Sequence, residues 1–210
     1  MTFYFIIVFL ALISELISVI SVFIFRKERL SIIWKPLLLF LFLSFLIDIT
    51  SLILSLFEIN NYFLLHIYGL IESATFTIIF YKLTNVKNRV LITLILSISI
   101  VLCLTEGLLY PFENNFWSNL FLKFILTFLS GYSIYKLLRN VYELINLNQY
   151  YFFFFLAIFI SSLSFFYFSL FEELVRSNQI IYEYTWFVPI IITIVFNLVL
   201  IIPLWRKSIL

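Results

Sequence analysis

Seven apolar runs, each long enough to cross a bilayer, constrain this chain more than any other feature. A helical span needs about 20 mostly apolar residues. The runs fall at roughly 2–25, 32–57, 62–82, 89–110, 116–138, 150–171 and 182–205. The sequence is 64% hydrophobic and 11% charged over 210 residues, too apolar for a soluble fold to hide. It therefore predicts an all-α polytopic membrane bundle of seven transmembrane helices. With connections this short, residues 1–210 are expected to form a single transmembrane domain, with no output domain fused within it.

Charge placement predicts an orientation. Arg26, Lys27, Arg29 and Lys35, then Lys82, Lys87 and Arg89, then Lys136 and Arg139, then Arg206 and Lys207 fall on one side. The other side holds Arg176 with Glu58, Glu113, Glu172, Glu173 and Glu183. By the positive-inside rule the N-terminus is outside and the C-terminus cytoplasmic. The first run has no basic leader and is followed at once by Arg26-Lys27-Glu28-Arg29, so it reads as an uncleaved span. Tyr4, Trp34, Tyr62, Tyr81, Tyr110, Trp117, Tyr150, Tyr151, Trp186 and Trp205 lie near span ends, as an interfacial aromatic belt would.

The candidate site residues are the polar groups that interrupt the runs. Glu72 lies near the middle of the third and Glu15 near the middle of the first. Asp48 lies in the second and Lys123 is the only basic residue deep in any run. A carboxyl group in hydrocarbon needs a partner, a proton or an ion. Glu15, Asp48 and Glu72 outnumber Lys123, which is the physical ground for expecting a carboxylate-lined interior site. Ser44, Asp48, Ser51 and Ser55 recur on one helical face of the second run, either as a packing face or as a cavity wall. Tyr68 and Glu72, four apart, share a face. His66, the only histidine, is six residues before Glu72, about 120° away around the helix, so the two do not form a chelating pair. It is placed near the outer boundary, where solvent reaches it. Lys123 is expected either to snorkel outward or to act as counter-ion to Asp48 or Glu72. Glu106 reads as an interfacial carboxylate and Cys103 as a small apolar residue. In the seventh run Pro189, Thr193 and Asn197 are four apart, and the proline is expected to kink the helix and free a carbonyl inward.

The segment Asn61-Tyr62-Phe63-Leu64-Leu65-His66-Ile67-Tyr68-Gly69-Leu70-Ile71-Glu72 resembles the N-x-aromatic-x-x-H-I-Y-x-x-x-E signature of a family of small seven-span bacterial membrane proteins. Asp48 matches the Asp of the preceding span in that family. The resemblance implies a seven-span protein of the bacterial cytoplasmic (inner) membrane and carries no activity to transfer. Lys35-Pro36-Leu37, opening a span, is similar to a helix start in lysoplasmalogenase-like membrane hydrolases, which implies intramembrane acids acting on lipid. The seventh run has no lysine of the kind that holds retinal in rhodopsins, and the chain lacks the several histidines of zinc-dependent seven-span hydrolases.

Three readings stay open. The first is a binding or sensor module, or an accessory subunit, that holds a small ligand or lipid and contacts a protein partner or a second copy. The second is a small secondary transporter coupled to protons or cations, with Asp48 and Glu72 titrating and Lys123 as counter-ion. The third is an intramembrane lipid hydrolase using Asp48 or Glu72 to activate water, with His66 assisting. The lipid bilayer is a partner in all three. The small, dispersed net charge gives no support for nucleic acid, and the sequence names no cofactor or metal.

Overall fold

The computed structural model describes residues 2–25, 33–83, 86–113, 116–139, 147–175 and 187–205. Among them are seven helices and no strand: α1 (Thr2–Phe25), α2 (Trp34–Leu56), α3 (Tyr62–Leu83), α4 (Val86–Leu109), α5 (Phe116–Arg139), α6 (Leu147–Val175) and α7 (Phe187–Trp205). In hydrocarbon no water satisfies a backbone N–H or C=O, so a span closes its own hydrogen bonds as a helix. The helices α1 to α6 each contain a stretch long and apolar enough to cross a membrane. The described apolar stretch of α7, Phe187–Ile201, is shorter, and residues 182–186 of the expected seventh span lie outside the described residues.

Serine and threonine are tolerated here because their hydroxyls donate back to the helix. Ser14 bonds the Ala11 carbonyl, Ser21 that of Ile17, Thr77 that of Ser73 and Thr127 that of Lys123. Each hydroxyl is satisfied without leaving its own helix.

The helices group into two compact units. The first is Met1–Leu30 with Lys123–Leu210, and the second is Ser31–Leu122. In the first, α7 packs on both α1 and α6. Its core includes Val22, Leu126, Phe154, Ile158 and Leu200. Gly131 of α5 lets the Phe159 ring of α6 come so near that an added methyl would lie 3.2 Å from it. In the second unit α3 packs on α4 and on α2. Phe40 of α2 stacks obliquely on Phe76 of α3, with centroids 5.5 Å apart.

At one end of the second unit the α2–α3 and α4–α5 turns meet, since the Asn60 amide donates to the Phe112 carbonyl at 3.4 Å. Lys82 and Arg89 lie toward the other end, where the Arg89 guanidinium sits 5.0 Å from the Tyr81 ring centroid. The helix α2 ends with Glu58 in the left-handed region, φ 57°. The Ile59 amide donates to the Leu54 carbonyl and the Glu58 amide to that of Ser55, the paired bonds of a Schellman cap.

Pro189 is the third described residue of α7. The carbonyls that a proline here would free belong to residues 185 and 186, which lie outside the described residues. The Thr193 hydroxyl donates to the Pro189 carbonyl at 3.1 Å.

Candidate functional site

The buried face of α3 carries Leu64, His66, Gly69, Glu72, Ser73, Thr75 and Phe76. Glu72 is 4% exposed in the middle of this helix. Ser73 and Thr75 are buried on either side of the next half-turn. Tyr68, one turn earlier, is half-buried with its ring 6.0 Å from that of Phe40. Cys103 of α4 lies within electrostatic reach of both Glu72 and Glu106.

His66 is buried rather than solvated, at 4% exposure. Its Nε2 faces two acceptors, the carbonyls of Tyr110 at 3.2 Å and Glu113 at 3.1 Å, so Nε2 carries the proton and donates to both. The imidazole thus closes the turn after α4 and makes no hydrogen bond with Glu72. Its Nδ1 has no hydrogen-bond partner among the described residues. Gly107 makes room for the ring: a methyl there would stand 3.3 Å from the His66 Cβ. The Cys103 thiol donates to the His66 carbonyl at 3.2 Å, a polar role that the sequence did not suggest.

Glu106 is more than an interfacial carboxylate. One oxygen accepts the Trp117 amide at 2.9 Å, and the other accepts the Ser118 amide at 3.0 Å and the Ser118 hydroxyl. These are first-turn donors of α5, so a carboxylate from α4 caps the next helix and meets the positive end of its dipole. Asn61 has a matching role at the other turn. Its amide donates to the Ser51 hydroxyl at 2.6 Å and to the Ser51 carbonyl at 3.2 Å. Asn60 accepts the Tyr62 amide at 2.9 Å at the start of α3.

The serine stripe of α2 is not uniformly buried. Ser44 is buried, Asp48 and Ser51 are half-buried, and Ser55 is exposed. The face turns outward as α2 approaches its C-terminal end.

The remaining sequence candidates belong to the first unit. Glu15 and Asn197 are buried there. Asn197 of α7 clasps α1: its amide nitrogen donates to the Ser14 hydroxyl and its oxygen accepts from Ser18, each at 3.0 Å. Lys123 is 3% exposed, so it does not snorkel to the surface. Its ammonium lies 4.9 Å from the Phe165 ring centroid, a cation–π geometry. Of the residues predicted from sequence, the second unit holds Ser44, Asp48, His66, Tyr68 and Glu72, and the first holds Glu15, Lys123 and Asn197. Among the described residues no group of three or more His, Cys, Asp or Glu side chains is arranged to hold a metal ion.

Six helices of spanning length and an interior with charged groups define a multi-pass helical membrane protein. Comparison with protein-family models, with curated proteins and with solved structures gave no match.

Proposed function

We propose that this is an integral membrane binding or sensor protein, or an accessory subunit, whose ligand is held beside Glu72. The observation that carries this reading is the carboxyl group of Glu72, buried at mid-helix with Ser73 and Thr75 next to it. Packing alone calls for no acid there, since serine and threonine satisfy themselves on their own helix. Glu72 is the ligand-binding group in this reading, with Ser44 buried and Tyr68 and Asp48 half-buried in the same unit. His66 and Glu106 support it by fixing the turns around α3 and α4. Span count and charge placement make it a single seven-span domain, N-terminus outside and C-terminus inside, and the resemblance to small seven-span bacterial proteins implies the bacterial cytoplasmic membrane.

A proton- or cation-coupled transporter is the second reading. The burial of Glu15 and Lys123, opposite charges in the helices of the first unit, favours it. A hydrolase would have to use the Nδ1 of His66, since its Nε2–H is committed to the turn.

Native mass spectrometry on protein extracted gently from its own membrane tests the main reading. A small molecule, lipid or metal retained by the wild type and lost from Glu72→Gln is the expected result. A bare chain in both samples overturns it. Uptake that depends on pH and is lost in Glu72→Gln selects the transporter instead.

A further inference from the structure

The α2–α3 and α4–α5 turns carry large apolar side chains on their outer surface. Phe57 is 71% exposed, Phe112 is 63% exposed and Leu108, just before the second turn, is 81% exposed. Ile59, Tyr110 and Trp117 are exposed as well. The turns also hold Asn60, Asn61 and Pro111, residue types that ordinary turns use, so it is the outward Phe, Ile and Leu side chains that call for a covering.

Much of the described backbone of these turns is tied to protein. The amides of Phe57, Glu58 and Ile59 donate to the carbonyls of Leu54, Ser55 and Leu54. The Tyr110 and Glu113 carbonyls accept from His66, and the Phe112 carbonyl accepts from Asn60. The Trp117 and Ser118 amides are taken by Glu106. Apolar side chains outward and backbone groups tied to protein are two properties that favour a segment where water is scarce.

The same apolar surface continues along the helices. Ile53 and Leu56 of α2 and Leu104 of α4 are exposed in the stretches that lead into the turns. That continuity with the lipid-facing sides of the spans identifies what covers the turns.

We propose that the two turns lie immersed in the boundary between lipid headgroups and acyl chains, as a rigid foot of the second unit, and that lipid covers Phe57 and Phe112. The exposed Glu58 and Glu113 mark the water side of this layer. The polar ties then have a purpose beyond closing loops: they reduce the number of backbone groups that a poorly hydrated layer would leave unmet. This inference rests on membrane residence and does not depend on a ligand at Glu72.

Depth-dependent quenching tests it. A bimane fluorophore is attached at Phe57→Cys, and separately at Phe112→Cys, in a Cys103→Ser background reconstituted into phosphatidylcholine vesicles. Ile98→Cys, on an exposed side of α4, calibrates the centre of the bilayer. The expected result is strong quenching at both turns by lipids brominated high on the acyl chain, and weaker quenching by lipids brominated near its end or by aqueous iodide. Quenching by iodide with no response to bromolipid places the turns in water and overturns the proposal. Resistance to both, with Ile98→Cys responding normally, means that protein covers the turns and also overturns it. Both sites are exposed, so the substitutions disturb no core packing. If Cys103→Ser proves unstable, the same labels go on the parent chain, whose buried Cys103 is shielded from reagent.

Discussion

The two units use polar side chains in opposite places. In the first, Asn197 reaches from α7 to Ser14 and Ser18, well inside α1, and fixes one helix against another along their length. In the second, Asn60, Asn61, His66 and Glu106 gather at one end and fasten two turns. The difference follows from the chemistry of each location. Inside a span, helix backbone is already satisfied, so polar side chains pair with one another or with their own helix. At a span end, first-turn amides and last-turn carbonyls have no intrahelical partner, so a polar side chain there meets a real deficit. Polar groups at the ends of the second unit should therefore matter more to stability than the clasp within the first.

Glu106→Ala should give the largest effect. It strips three donors of the α5 N-terminus of their acceptor, and we expect a loss of about 2–3 kcal/mol, measured by denaturant unfolding in mixed micelles. Glu106→Gln, which keeps an acceptor but loses the charge, should lose less. Next comes Asn197→Leu, with an expected loss of about 1 kcal/mol by the same assay, since hydrogen bonds between membrane helices contribute little net stability and both serines keep backbone carbonyls to bond. A larger loss from Asn197→Leu than from Glu106→Ala would break the comparison. The smallest effect should be a gain. Glu58→Gly relieves a left-handed residue at the α2 cap and should stabilise by about 0.5–1 kcal/mol, because only glycine takes that conformation without steric cost. A loss there would show that the Glu58 side chain contributes something that the backbone argument omits.

The helices were legible in the sequence because spanning is a length requirement. The reading 62–82 became Tyr62–Leu83, and 116–138 became Phe116–Arg139. The polar roles were less legible. Glu106 finds its partners eleven and twelve residues later, across a turn, and no helical periodicity reports such a spacing. His66 and Asn61 stood out as a motif, but their partners, Tyr110, Glu113 and Ser51, are fixed only once α3 is set against its neighbours. The burial of Lys123 was hidden for a similar reason, since its aromatic neighbour Phe165 comes from α6. Glu72 is the exception: its burial followed from its place in the third run alone.

His66 also makes this protein convenient to observe. The chain has one histidine, so isotope labelling of that residue type places a single imidazole in the spectrum. Its nitrogen frequencies distinguish the tautomer with the proton on Nε2 from the alternatives. The turn after α4 therefore carries its own spectroscopic label, one that needs no engineered tag and changes when the Tyr110 and Glu113 carbonyls let go.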